Sequence, residues 1–271
     1  MKEVSLIIPT LNEEEGLEST ITQWREALKD YDHEIIIVDN GSSDQTYSIA
    51  KVYSDKCNQV PNVTIAALRN EGSSMASGNV LVFNDADVIP GEFWANEFSL
   101  NTNNLQSRKL IMGGNLRSSN EDNFIYNHWF KYIIEEKKKK SAYVGSGHML
   151  MSKDTFSLLN GFDEDLITGE DYDICARCNR ELNGHVEYND NLKTIHQGYP
   201  EGILKFIERE RWHGIGDVKP ISNFIKSKVA ISSAIFIVLF ISFLISLMAN
   251  LHHLAIIQAL AIAGFVFMTS I

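Results

Sequence analysis

Val80-Leu81-Val82-Phe83-Asn84-Asp85-Ala86-Asp87 decides how this chain is read. Four consecutive apolar residues make a strand buried on both faces, so the two aspartates fall just past its end. Carboxylates one residue apart at such a place can hold a divalent cation together with a diphosphate. Hard cations take oxygen ligands, and Mg²⁺ is usually held by one or two carboxylates plus substrate phosphates. A D-x-D alone is a weak signal, because loop aspartates are common. Its weight comes from the segments around it.

Upstream, Val4 to Ile8 is a buried strand ended by Pro9. Asn12 is expected to cap a helix with Glu13, Glu14 and Glu15 in its first turn and Ile21, Trp24 and Leu28 as its apolar stripe. Glu34 to Val38 is a second strand, followed by the turn Asp39-Asn40-Gly41-Ser42-Ser43-Asp44, with Asp44 as the next cap. Val63 to Ala66 reads as a third strand and Asn70 to Ser77 as a small-residue helix. This alternation predicts an α/β fold with a mostly parallel sheet. Ligands of such sheets bind beyond the carboxyl ends of the strands. Pro9-Thr10, Asp39 and Asp85/Asp87 would then share one edge.

Downstream, Lys109 to Asn115 is expected as a strand, Phe124 to Lys140 as a helix ending in four lysines, and Met149 to Met151 as a short strand after the loop Gly145 to His148. Glu170 to Leu182 predicts a helix with Ile174, Cys175, Cys178 and Leu182 inward. Thr194 to His196 ends a late strand, and Phe206 to Trp212 lies on a helix.

The 271 residues suit one large α/β domain, and a net charge of -11 argues against a nucleic-acid partner. Three cysteines do not make a disulfide scaffold, so a reducing compartment is expected. Cys175-x-x-Cys178 has no second pair and reads as buried thiols. After Lys228 no Asp, Glu, Lys or Arg occurs. Residues 229–249 are apolar for long enough to cross a bilayer, which takes about 20 residues. Residues 254–271 form a shorter second stretch, so a helical hairpin is expected there. The organisation expected is a domain over 1–218, a juxtamembrane segment over 219–228 and membrane helices over 229–271. Lys219, Lys226 and Lys228 precede the first span, which puts the domain on the cytoplasmic side of the cytoplasmic membrane.

Taken in order, these segments resemble the family-2 glycosyltransferases, whose fold is called GT-A. Ser5 to Glu13 resembles the opening strand and nucleotide loop, and Ile37 to Asp44 the second loop. Arg69-Asn70-Glu71-Gly72 with Ala76-Ser77-Gly78 resembles the third, Asp85-Ala86-Asp87 the metal motif, and Gly161-Phe162-Asp163-Glu164 with Gly169-Glu170-Asp171-Tyr172-Asp173 the acceptor-side motif. The resemblance covers about residues 3 to 215. Asp39-Asn40 departs from the two adjacent aspartates common in the family. Glu208-x-x-Arg211-Trp212 only partly matches the Q-x-x-R-W of processive synthases.

The resemblance implies inverting transfer of a sugar from a nucleoside diphosphate, UDP first, to a hydroxyl of a lipid-linked or saccharide acceptor, with Mg²⁺ or Mn²⁺. Asp87 would be the direct metal ligand, and Asp85 would contact ribose or metal-bound water. Asp171 would be the general base. Asp39 would accept from the base N3–H or hold an Asx turn, and the two are compatible. Pro9 and Thr10 would meet the base or ribose. Glu13 would cap its helix or bind ribose, and Arg69, with Asn70 beside it on the donor side, would pair with a phosphate or stay on the surface. His196 would join the metal or diphosphate. Glu170, His148 and Trp212 would lie on the acceptor side. A sugar nucleotidylyltransferase and a non-catalytic nucleotide-sugar binder are the alternatives.

Overall fold

The computed structural model describes residues 3–107, 109–120, 122–140, 143–218, 224–225 and 227–269. They fall into two units, residues 1–208 and 209–271.

The first unit is built on an eight-stranded sheet in the order β3-β2-β1-β4-β7-β6-β8-β5. Its strands are β1 (Val4–Thr10), β2 (His33–Asp39), β3 (Lys56–Gln59), β4 (Val80–Asn84), β5 (Val88–Pro90), β6 (Leu110–Ser118), β7 (His148–Ser152) and β8 (His185–His196). β1, β2, β3 and β4 run parallel. β7 is antiparallel to both its neighbours, and β8 runs parallel to β6 and antiparallel to β5. The ends of β1, β2, β4, β6 and β8 and the start of β7 therefore meet at one edge. Register makes this concrete: Thr10 lies level with Asp39, Asn84 with His148, and Val88 with His196.

Successive residues of the central strands feed two cores. Leu6, Ile8, Ile35, Ile37, Val80 and Val82 face α1 (Leu17–Ala27) and α4 (Trp94–Ser107), where Trp24, Trp94 and Phe98 are buried. Ile7, Ile36, Val38, Leu81 and Phe83 face the other way, toward Leu68, Phe156, Phe162 and Ile174 from α3 (Ile65–Met75), α6 (Lys153–Leu158), the turn after it and α7 (Glu170–Leu182). Burial on both faces is why the strands read as continuous apolar runs. The Trp24 and Trp94 rings meet edge to face at 4.8 Å. Each large apolar side chain of this kind contributes about 1.5–3 kcal/mol by leaving water.

Several expectations need correction. The first helix begins at Leu17 after Gly16, not at Asn12. Asn12 is in the left-handed region (φ 56°), and its side chain reaches the second loop instead. Val63 to Ala66 is not a strand: Thr64 caps α3 by accepting from the Ala67 amide at 3.3 Å. The third strand is the polar edge segment Lys56–Gln59. α2 (Thr46–Tyr53) follows Gln45, with the Asp44 carboxylate accepting from the Thr46 amide at 3.0 Å. The long helix opens with a π-helical turn, Tyr126–Phe130, before α5 (Lys131–Lys140). α7 keeps its expected bounds, with Ile174, Cys175 and Cys178 buried.

α8 (Ile203–Val218) crosses the boundary between the units. In the second unit, α9 (Lys228–Met248) is capped by Ser227 and packs on α10 (His252–Thr269). Between them Asn250 is left-handed (φ 57°). Its amide donates to Leu247 O and the Leu251 amide to Ser246 O, a Schellman stop. Gln258 Nε2 donates to Ser242 Oγ at 2.7 Å across the pair. α9 is long and apolar enough to cross a membrane by length and composition, whereas the apolar stretch of α10, His252–Phe265, is shorter than that requires. Most of 219–228, including Lys219 and Lys226, lies outside the described residues.

Candidate active site

At the edge, the first two loops are sewn together. The Asn12 amide donates to Ser42 Oγ at 2.9 Å, the Ser43 amide donates to Asn12 Oδ1 at 2.9 Å, and the Glu13 amide donates to Thr46 Oγ1 at 2.7 Å. Asp39 is fully buried. Its Oδ1 accepts from the Gly41 and Ser42 amides (3.0 and 2.9 Å) and from Gln59 Nε2 (2.7 Å); its Oδ2 accepts from Ser42 Oγ and, at 3.3 Å, Thr10 Oγ1. Burial alone would raise this carboxyl, but the donors, Gln59 foremost, hold it below the usual range. Five donors fill the roughly four lone-pair sites of a carboxylate. The Asx-turn role of Asp39 is thus explicit, and a nucleotide base would have to displace one of these donors. Gly41 (φ +80°) is required, since a β-carbon there would come within 2.8 Å of Pro61 Cβ.

A buried relay pins the D-x-D loop. Trp94 Nε1 donates to His148 Nε2 at 2.8 Å, so His148 carries its proton on Nδ1 and donates to Asn84 Oδ1 at 2.9 Å. Asn84 Nδ2 then donates to the carbonyls of Asp85 (2.7 Å) and Val88 (2.8 Å), and Trp24 Nε1 also donates to Val88 O at 2.8 Å. His148 is entirely buried, and desolvation pushes it down to about 3, so it stays neutral. Both of its ring nitrogens are used inside the relay, which leaves neither for the acceptor-side contact expected of it.

Arg69, expected on a phosphate or at the surface, is only 1% exposed. It donates to Asp85 Oδ1 at 2.9 Å and to Glu170 Oε1 at 2.6 Å, and Glu170 also accepts from Ser146 Oγ at 2.9 Å. One buried cation thereby ties the D-x-D loop to the start of α7. Asn70 secures the segment before it, donating to Phe162 O (2.9 Å) and Glu164 Oε1 (2.7 Å) and accepting from the Phe162 amide (2.9 Å). Glu170, the first residue of α7 after left-handed Gly169 (φ +85°), is committed to this network, and Asp171 follows it in the first turn. The loop Gly145-Ser146-Gly147 spans the two acids. A β-carbon on Gly147 would lie 2.9 Å from Asp85 Oδ2, and one on Gly145 would lie 3.7 Å from Asp171 Oδ2.

On the other side of the loop, Asp87 Oδ2 is 3.7 Å from His196 Nδ1, which accepts from the Gly198 amide at 3.1 Å. A β-carbon on Gly198 would overlap Asp87 Oδ2. The Glu13 carboxyl is pushed up to about 7, first by burial and then by Asp87, Asp85 and Asp44. Negative charge thus accumulates around Asp85 and Asp87. That oxygen-rich set suits a hard dication completed by substrate phosphates. Among the described residues no cluster of three or more His, Cys, Asp or Glu forms an all-protein metal cage.

The edge therefore brings together Thr10, Glu13, Asp39, Asp85, Asp87 and His196, with Asp171 joined to Asp85 through Arg69 and Glu170. Trp212 belongs to the second unit. Sequence reading missed Asn84, Trp94, Gln59 and Ser146, whose roles depend on partners far along the chain.

The family model described as Glycosyl transferase family 2 matches residues 5–156, more than half of the chain. The chain belongs to glycosyl transferase family 2. The match ends before Asp171. A dolichol-phosphate mannosyltransferase of Pyrococcus furiosus is 38% identical over 93 residues, covering 31% of this chain and 26% of the relative. The uncharacterized glycosyltransferase YfnE of Bacillus subtilis is 27% identical over 212 residues, covering 71% and 49%. Glycosyltransferase AglE of Haloferax volcanii is 26% identical over 180 residues, covering 62% and 58%. The chain thus spans at most 58% of the length of these three relatives. Among solved structures, the mannosyltransferase PcManGT of Pyrobaculum calidifontis with GDP-Man and Mn²⁺ aligns with a TM-score of 0.60 at 18% identity, covering 83% of this chain and 65% of that one. TarS of S. aureus with UDP-GlcNAc aligns at 0.58 and 16% identity, covering 80% and 67%. These likenesses establish the GT-A fold of the family-2 domain.

Proposed function

We propose that this family-2 glycosyltransferase moves a sugar from a nucleoside diphosphate, UDP first among donors, to a hydroxyl of a lipid-linked or saccharide acceptor at the cytoplasmic face of the membrane, with inversion. The observation that carries this is the Asp85–Arg69–Glu170 bridge, which couples the D-x-D loop to the helix bearing Asp171. Asp87 and Asp85 would hold Mg²⁺ or Mn²⁺, with His196 beside Asp87. When bound, that cation would neutralise charge on the leaving diphosphate. Thr10, Glu13 and the Asp39 turn line the donor side. Asp171 takes the proton of the acceptor hydroxyl as its oxygen attacks from the face opposite the leaving group. The lipid phosphate in the name of the Pyrococcus relative and the apolar length of α9 support a membrane-borne acceptor.

The test is turnover of the purified full chain with Mn²⁺ or Mg²⁺, a panel of nucleotide-sugars and membrane lipid extract. Nucleoside diphosphate release with sugar transfer is expected. Formation of nucleoside triphosphate and sugar 1-phosphate when pyrophosphate is added would instead indicate a sugar nucleotidylyltransferase. Binding without turnover, unchanged in Asp171→Asn, would indicate a non-catalytic binder.

A further inference from the structure

The helix pair behind His196 carries apolar side chains on the wrong side for a water-facing domain. From the sheet edge outward, the His196 ring packs on Tyr199 at 4.4 Å, and Tyr199 packs on both Tyr126 and Phe130 at 4.9 Å. Phe206 of α8 closes this cluster, 5.4 Å from Trp129. The π-helical turn and α8 are thus held together by a small aromatic core. Beyond it, Phe124 (72% exposed), Trp129, Tyr132, Ile203, Leu204 (74% exposed) and Ile207 all stand exposed. Ile203, Leu204 and Ile207 occupy the i, i+1 and i+4 positions of one helical stripe, so their exposure is a property of that face. Scattered exposed leucines need no explanation, but a contiguous aromatic and aliphatic patch marks an interaction site.

We infer that this face lies on the membrane surface, seated in the headgroup region of an anionic leaflet. Its composition fits the interface, where tryptophan and tyrosine rings are enriched and an amphipathic helix buries its apolar stripe. Charge points to the same occupant. α5 carries five lysines and two glutamates in its sequence, a formal +3 within a chain of -11. A basic helix on an acidic protein is complementary to anionic lipid. Chain continuity agrees, since only residues 219–227 separate the end of α8 from the apolar helix α9. The consequence deepens the proposed transferase function and rests on it: the sheet edge that carries the site lies next to the bilayer, which suits an acceptor carried on lipid.

The test uses the full chain carrying Trp212→Phe, which leaves Trp129 as the exposed tryptophan beside buried Trp24 and Trp94. The protein is reconstituted into phosphatidylcholine vesicles with and without phosphatidylglycerol, with acyl chains brominated near the headgroup. The Trp129 part of the emission is expected to fall by about half, more with the anionic lipid, and the loss should vanish when Trp129→Phe is added. Quenching by aqueous iodide but not by bromolipid would overturn the inference. Protection from both would also overturn it, by indicating a protein partner such as a second copy. Donor turnover is measured in parallel in detergent. Quenching without turnover sinks the transferase function and leaves the membrane face standing; turnover without quenching does the reverse.

Discussion

Arg69→Met removes the cation shared by Asp85 and Glu170 while keeping most of the side-chain volume. Glu170 sits in a nearly closed site (side chain 7% exposed) and would retain only the Ser146 hydroxyl. Asp85 is 33% exposed and can regain water. Breaking a buried pair from one side costs about 3–5 kcal/mol. The partial exposure of Asp85, and an Arg69 Nε that has no hydrogen-bond partner among the described residues, place this case at the low end, about 3 kcal/mol. For a unit of about 200 residues each kcal/mol moves Tm by about 2–4 °C, so a fall of about 6–12 °C is expected. The near-ultraviolet circular dichroism of the detergent-solubilised chain, dominated by packed aromatics such as Trp24 and Trp94, follows this unit. Adding Glu170→Gln removes the stranded charge and keeps an acceptor for Ser146, so the double variant should melt well above the single one. A fall below about 3 °C, or a double variant no better than the single, would refute the coupling.

Three further outcomes follow from neighbouring contacts. Gly198→Ala places a methyl group on Asp87 and should weaken Mn²⁺-dependent donor binding about tenfold by calorimetry, with metal-independent nucleotide binding unchanged. His148→Phe strands Trp94 Nε1–H and Asn84 Oδ1; it should cost about 3 kcal/mol in thermal unfolding and weaken metal-dependent donor binding, and His148→Gln should recover part of both. Glu13 binds a proton in the folded state that the unfolded chain has already lost between about pH 4.5 and 7, so its contribution to stability falls across that window. Glu13→Gln should therefore raise the Tm of the metal-free protein at pH 8, leave it unchanged at pH 4, and reduce Mn²⁺ affinity.

Much of the fold was legible because doubly buried strands are uninterrupted apolar runs: β1, β2 and β4 could be placed from Val4, Glu34 and Val80 onward. α7 was legible because its inward stripe and acidic first turn agree. The failures have a common cause. Lys56–Gln59 is polar yet pairs with β2, since an edge strand takes its identity from its neighbour. Asn12 has a capping side chain, but spends it on Ser43 in another loop. Arg69 was read as a phosphate ligand or surface residue, because nothing near it in sequence reveals Asp85 and Glu170. His148 reads as an acceptor-side residue for the same reason, its partners being Asn84 and Trp94. The acids at the strand ends are visible in the sequence; the Arg69 bridge that ties two of them together spans 16 and 101 residues.

The proposed transfer requires Asp171 to act as base beside the site that grips the donor diphosphate. Single-turnover sugar transfer by Asp171→Asn, measured beside its donor dissociation constant in Mn²⁺, tests it most directly. Donor affinity within about twofold of wild type and a rate lower by about 10²–10⁴ are expected. A near-normal rate, or a donor affinity that collapses with the rate, would contradict the assignment.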